Sequence, residues 1–496
     1  MIMKSMKRKQ WMAVSMIAIM LLAPMADLYA FCGFYVAKAD AKLFNNRSEV
    51  ILVRRGNKTT VTMSNDFKGT VKDFAMVVPV PEVLQESDIK VVNRNVFDKL
   101  NEYSAPRLVE YHDAQPCAPE IVVEEFSRRA FTMAEGVTSM NIDHMVDDAD
   151  YGVAIEAEYQ IGEYDILILS AKESSGLRDW LVDNDYKIPA DADEVLEPYI
   201  KSDMKFFVVK VNLDQFFQSQ AEYLSPIQVT YESDRFMLPI RLGMANANGP
   251  QDLIVYALTD QGRVECTNYR TVELPTNRNI PLLVQPKFGE FYKAIFEKNY
   301  KHEGRKAVFL EYAWDVSPQQ SMKCDPCIGP PPVVVDLQNT GVDWLNGGWG
   351  GQVHFTRLHV RYERDYFPQD LQFQVTPNKE RFQCRYVLTH PATGDMSCDE
   401  GQKYLKSLAE RRRKEIHEME ALSGWTIKHE DSYINEFSNQ IKRGDLVTPV
   451  IDDSGNGNNP GGGGLPWGIP LGFAAMMLVV SLYKALRERI LTPVTA

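Results

Sequence analysis

Hydrophobic and polar positions change period several times along the chain, and the changes mark out its elements. The clearest stretch is 164–212. YDILILS reads as a buried strand, Leu177, Trp180 and Leu181 fall at helical spacing, and Val195, Leu196 and Tyr199 repeat that spacing within 192–201. FFVVKV then alternates as a second strand fit to lie beside the first. No glycine fingerprint interrupts this unit, so it predicts a scaffold with Trp180, Leu181 and residues 206–209 in the core.

On the N-terminal side, alternating runs at 49–55 and 58–64 flank Gly56 and Asn57, a hairpin signal. A third run, DFAMVVPVP, carries Pro79 and Pro81, which cannot donate to a ladder and so mark a strand end or an edge. A short helix capped by Asn95 follows at 96–103. Residues 112–150 are acidic with weak periodicity and predict a surface excursion. GVAIEAEYQIG predicts a strand leading into the 164–212 unit, and beyond that unit come short strands within 226–269, a helix at 288–300 and a strand at 306–316.

KCDPCIGPPP, within 318–332, predicts an extended connector between units. After it, HFTRLHVRY, LQFQV and RFQCRYVL predict three strands. Leu405, Leu408, Ile416, Met419 and Leu422 trace one face of a helix at 403–423, with Asp399 and Gln402 as a capping box and Gly424 as the stop. The expected fold class is α+β: strand-rich, mostly antiparallel sheets with a few short helices, plus one C-terminal transmembrane helix.

Hydropathy at the two ends adds topology. Residues 1–30 have a basic start, an apolar run at 11–22 and the small Ala30 at a cleavage position, the three parts of a signal peptide. Leu28, three residues before the cut, is larger than the preferred small residue, so an uncleaved anchor is the alternative there. The glycine-rich stretch 452–464 predicts a flexible linker. Residues 465–483 carry no charge and as a helix span about 28 Å, enough for a bilayer. Trp467 and Tyr483 lie at its ends, and Lys484, Arg487 and Arg489 follow, which places 484–496 in the cytoplasm. A sorting signal removed after export is the alternative reading of this tail. Gly468 and Gly472 form a GxxxG with Pro470 inside it. The exported part divides into a main domain at 31–317, the connector at 318–332 and a smaller strand-and-helix unit at 333–451.

Charge narrows the partners. The formal charge of −13 over 496 residues hides basic ends of +3 (1–30) and +2 (465–496), leaving −18 between them. Such a body is unsuited to nucleic acid or to broad anionic surfaces and fits a cationic ligand or another envelope protein.

All seven cysteines lie beyond the signal, where disulfides are the default. Cys384 and Cys398 flank a turn-rich segment and are the favoured bridge; Cys32 with Cys117 is a second pairing, and Cys266 is the expected free thiol. Cys324 and Cys327 form a CxxC, but Gly329 and the three prolines after it forbid the helix start that lowers a redox thiol's pKa. No second CxxC completes a zinc site, so a structural disulfide is favoured over redox or metal chemistry. His354 and His359 point to opposite faces of one strand and cannot chelate together. The HEMEA at His417 has Ala421 where a zinc protease needs histidine. Asp143, Asp147, Asp148 and Asp150 match no calcium loop. No catalytic residue, cofactor or metal site is expected.

The segments FCGFYVAKA, FAMVVPVP followed by FDKLNEYSAPRL, YDILILSAKESSGLRDWLVDNDYKIP with FFVVKVN, then LPIRLG and RLHVRY, in that order over 31–362, resemble the bacterial DUF2330 family. The resemblance implies an exported protein, often with a C-terminal anchor, and carries over no catalytic residue. The expectation is a protein exported by the Sec route, anchored in the inner membrane with its body on the periplasmic or extracellular side, acting by binding or as structure. The alternative is an extracytoplasmic hydrolase or thiol-redox enzyme with a dispersed site.

Overall fold

The hairpin at the start of the chain explains the layering. Ser48–Arg55 and Lys58–Ser64 pair antiparallel across Gly56, at φ +59°, and Asn57. Alternate side chains leave opposite faces, and both faces are buried: Val50 and Leu52 join one apolar cluster, Ile51 and Val53 another. A sheet buried on both sides needs cover on both sides.

The computed structural model describes residues 48–64, 75–117, 152–184, 192–218, 224–245, 249–318, 330–345 and 351–435, with short strands at Phe34–Val36, Phe44–Asn45, Phe67–Lys68 and Val450–Asp452. Its large sheet runs in the order Arg270–Glu273, Ala307–Asp315, His354–Tyr362, Gln251–Thr259, Ser48–Arg55, Lys58–Ser64, Ile227–Glu232, Ile89–Val91, with Phe382–Gln383 added beside Ala307–Asp315. A second, five-stranded sheet has the order Phe34–Val36, Ala75–Val80, Lys205–Val211, Tyr164–Ala171, Val153–Ile161, antiparallel throughout.

The two sheets face each other. Val50, Leu52, Val61 and Met63 of the first share a cluster with Met76, Val78, Ile166, Ile168, Phe207 and Val209 of the second. On the outer face of the five-stranded sheet, Val77, Leu169, Phe206 and Val208 pack against Leu177, Trp180 and Leu181 of helix Ser174–Asp183 and Leu196 and Tyr199 of helix Ala192–Lys201. Helix Asn95–Ser104 and residues 337–345 cover the outer face of the large sheet through Val96, Phe97, Leu100, Leu337 and Trp344. The result is α+β in four layers, helices outside and two sheets within.

The 164–212 unit folds as its pattern predicts: Tyr164 to Leu169 pair in register with Val211 to Phe206, and Trp180, Leu181 and residues 206–209 are buried. Pro79 pairs with Phe206 on one side and lies past the end of Phe34–Val36 on the other, where no ladder donor is needed. Helix Phe288–His302 and the longest described helix, Asp399–Ser423, also form; Gly424 closes the latter at φ +80°.

The sheets are mostly antiparallel, as expected; within the large sheet Gln251–Thr259 runs parallel to Ser48–Arg55, and Arg270–Glu273 parallel to Ala307–Asp315. Alternation within a strand carries no information about the direction of a partner far away in sequence. Two expectations are corrected. First, 333–451 does not stand apart. His354–Tyr362 lies between Gln251–Thr259 and Ala307–Asp315, and Arg385–His390 pairs with Arg107–His112. The proline-rich connector joins strands of one sheet. Second, the acceptor that caps helix Asp399–Ser423 is the sulfur of Cys398, taking the Gly401 N–H at 3.2 Å, and the expected Asp399–Gln402 box is absent. A Cβ at Gly401 would meet Met396 O at 2.6 Å, so the tight approach requires glycine.

Among the described residues no helix is long and apolar enough to cross a membrane. The signal at 1–30, the linker beyond Asp452, the 465–483 span with its GxxxG, the acidic run at 143–150, Cys32 and the Cys324–Cys327 pair all lie outside the described residues.

A chain ended at residue 332 loses the strand between Gln251–Thr259 and Ala307–Asp315. It is expected to give no cooperative urea transition by circular dichroism, whereas two independent domains would leave the 31–317 part folding alone.

Candidate functional site

Charged side chains inside apolar strands are costly, and the molecule gathers them in one place. On His354–Tyr362 the period of two sets Arg357, His359 and Arg361 on one face, with Leu358, Val360 and Tyr362 turned to the inter-sheet core. The neighbouring strand Ala307–Asp315 breaks register between Leu310 and Tyr312, which face Leu358 and Arg357. Glu311 is the extra residue of this bulge, and the carbonyl of Glu311 accepts the Cys384 N–H at 2.8 Å. The bulge turns a carboxylate toward the cations.

Glu311 accepts from Arg357 Nε at 2.5 Å, from His359 Nδ1 at 2.8 Å and from the Tyr292 hydroxyl. His359 Nε2 is 3.2 Å from Asp252 Oδ1. Arg361 holds Asp252 with two bonds of 2.8 Å, from Nε to Oδ1 and from Nη2 to Oδ2, and reaches Glu297 at 2.7 Å. Arg357 also donates to Asn101 at 2.9 Å and to Ser104 at 3.3 Å on helix Asn95–Ser104, and lies over the ring of Tyr256. The Tyr256 hydroxyl in turn donates to Glu49 at 2.8 Å. Phe296 of helix Phe288–His302 stacks on His359, with centroids 4.0 Å apart, and lies under Arg361. Side-chain exposure rises from 1% at Glu311 through 13% at His359 and 22% at Arg361 to 35% at Glu297, so the cluster opens to solvent toward its Arg361–Glu297 end.

The geometry fixes protonation. Both ring nitrogens of His359 face carboxylate oxygens, which as anions only accept, so both nitrogens carry hydrogen and the ring is an imidazolium. Burial alone lowers the His359 pKa, but Glu311 and Asp252 outweigh it and raise it. Burial alone raises Glu311 and Asp252. Arg357 with His359, and His359 with Arg361, outweigh that and hold the two carboxyls well below the usual range. Burial and the adjacent Glu311 keep Tyr292 protonated.

Every acidic and basic group in the cluster has a partner inside it. His359 has no lone pair free to act as a base, and burial pushes the nearby Cys384 thiol up, away from the nucleophilic form. The arrangement is an electrostatic clamp joining three strands and two helices.

His354 faces the other side of the strand, as its position predicts; it is buried with neither ring nitrogen hydrogen-bonded, and burial lowers its pKa to about 4. Among the described residues no group of three His, Cys, Asp or Glu side chains is placed to hold a metal ion. His417 is exposed on its helix. The favoured Cys384–Cys398 bridge and the Cys32–Cys117 pairing are both corrected: Cys398 is bonded to Cys117, while Cys384 is free and buried beside the bulge. Spacing favoured the near partner, but strand Arg385–His390 carries Cys384 into the core. Cys266 is free, as expected.

Sequence reasoning missed Asp252, Glu311, Arg357 and Arg361. The signal was present: Glu311 interrupts AVFLEYAWD, and Arg357 and Arg361 occupy positions of one parity in HFTRLHVRY.

Fold and site together define an α+β protein of two face-packed sheets pinned by a buried ion cluster. The chain belongs to the family described as "Uncharacterized protein conserved in bacteria (DUF2330)", whose profile matches residues 26–374. No curated protein and no solved structure matches it significantly. The matched region includes Asp252, Glu311, Arg357, His359 and Arg361.

Glu311→Gln is expected to destabilise the fold by about 3–5 kcal/mol in urea titrations, because it leaves Arg357 and His359 buried without their counter-charge. The pH profile has two limbs. The His359 contribution is fully present below the ordinary histidine pKa and is lost as pH rises through its raised folded value. The Glu311 and Asp252 contributions are present above the ordinary carboxyl values and are lost as pH falls toward their depressed ones. In His359→Gln the alkaline limb is expected to flatten while the acid limb persists, read from urea midpoints across pH.

Proposed function

We propose that this protein is exported, anchored in the cytoplasmic membrane by residues 465–483, and displays its acidic body outside, where it acts by binding or as a structural element. The observation that carries the reading is the agreement of the two ends. A signal-like start and a charge-free span followed by a basic tail each put the body on the same side of the membrane. The Cys117–Cys398 bridge supports it, because bonds of this kind persist in oxidising compartments. The mutual engagement of the ionisable groups within the Glu311–His359–Asp252–Arg361 cluster favours a binding or structural role for it, since catalytic acids and bases need a free site for a proton. The charge of −18 between the ends favours a cationic ligand or a basic face of another envelope protein.

Protease added to intact spheroplasts is expected to degrade the body and leave a short membrane-embedded tail carrying 484–496. A body that survives until the cells are lysed overturns the topology.

A further inference from the structure

The disulfide joins distant cysteines while a much nearer partner stays reduced. Cys398 is bonded to Cys117 across 281 positions, whereas Cys384, only 14 positions before Cys398, is a free thiol with 0% exposure. In an unfolded chain the chance of contact falls with about the three-halves power of loop length, so Cys384 meets Cys398 about 90 times more often than Cys117 does. We propose that Cys384 is the first disulfide partner of Cys398 and hands it to Cys117 by thiol–disulfide exchange as the chain folds. This rests on the exported reading, which supplies the oxidising compartment.

The first bridge consumes one disulfide-bearing oxidant of that compartment: two electrons and two protons pass from the Cys384 and Cys398 thiols to it, and the Cys384–Cys398 bond forms. In the second step the Cys117 thiolate attacks Cys398 Sγ. The Cys117–Cys398 bond forms as the Cys384–Cys398 bond breaks, and Cys384 leaves as a thiolate that takes a proton from water. The exchange itself uses no oxidant.

The folded contacts supply its direction. Asp113 accepts from the Tyr404 hydroxyl at 2.6 Å and from Arg411 Nη2 at 2.7 Å, and Gln115 Nε2 donates to the carbonyls of Thr393 at 3.2 Å and Asp395 at 2.9 Å. These bonds dock 113–117 on either side of Cys398 and bring the Cys117 sulfur to it. Meanwhile Cys384 is drawn inward. Its N–H binds Glu311 O at 2.8 Å, its carbonyl takes the Arg107 N–H at 3.2 Å, and its sulfur rests 3.6 Å from the Tyr386 hydroxyl. Burial there holds the thiol protonated, and only a thiolate attacks, so the return step is closed.

The test is a pulse-chase of the full chain in exporting cells, with free thiols blocked by N-ethylmaleimide at intervals and bridges assigned by non-reducing tryptic mapping. Trypsin cuts at Arg385, between the two cysteines, so a Cys384–Cys398 bridge appears as a linked pair of peptides. The linked pair is expected to appear first and to decay as the Cys117–Cys398 peptide rises. A Cys117–Cys398 bridge that forms with no preceding Cys384–Cys398 species overturns the proposal while leaving export intact. Cys384→Ala is expected to change the rate of Cys117–Cys398 formation at least twofold, and an unchanged time course counts against the route. If every cysteine stays reduced and the body resists external protease, both this proposal and the exported reading fall.

Discussion

A carboxylate with almost no access to water has to be neutralised from several directions at once, and Glu311 shows how much of the molecule that demand recruits. Arg357 and His359 approach from the adjacent strand, Tyr292 from the helix Phe288–His302, and the bulge that aims the carboxylate is itself held by the backbone of Cys384. His359 then passes the requirement to Asp252, and Asp252 passes it to Arg361. Removing one member leaves another charge buried and unpaired, which costs more than the pair contributes. Strands Gln251–Thr259, Ala307–Asp315 and His354–Tyr362 are thereby fixed in one relative register.

That fixed register organises the layers. With the three strands aligned, the inner face of the large sheet offers a continuous apolar surface to the five-stranded sheet, and helix Asn95–Ser104 closes the outer face by giving Asn101 and Ser104 to Arg357 and Phe97 to Tyr256. The helix is amphipathic in two senses: Val96 and Leu100 bury apolar area, while Asn101 and Ser104 satisfy a guanidinium.

Local features were legible in the sequence because their causes are local. The hairpin at Gly56 and Asn57, the 164–212 unit, the helix stop at Gly424 and the opposite faces of His354 and His359 each follow from spacing within a few residues. The ion cluster was not legible. Tyr256 meets Glu49 across 207 positions and Arg357 meets Asn101 across 256, and nothing near either residue names its partner. The same reason misdirected the disulfide, where nearness in sequence pointed to Cys384. It also separated 333–451 from strands with which that segment shares a sheet. One general clue was available: a charged residue inside an otherwise apolar strand has to be compensated somewhere.

The parallel alignment of Gln251–Thr259 with Ser48–Arg55, closed on its other side by His354–Tyr362, has a consequence for timing. The middle of the large sheet is assembled from the beginning, the centre and the later part of the chain, so its contact order is high. Such topologies fold slowly, because long loops are closed before their contacts repay the entropy. A chain emerging in order lacks the strand that joins Gln251–Thr259 to Ala307–Asp315 until residue 362 has appeared. The strand order itself therefore acts as a delay: the two parts of the large sheet stay unjoined, and the ion cluster between them incomplete, until most of the body has been made.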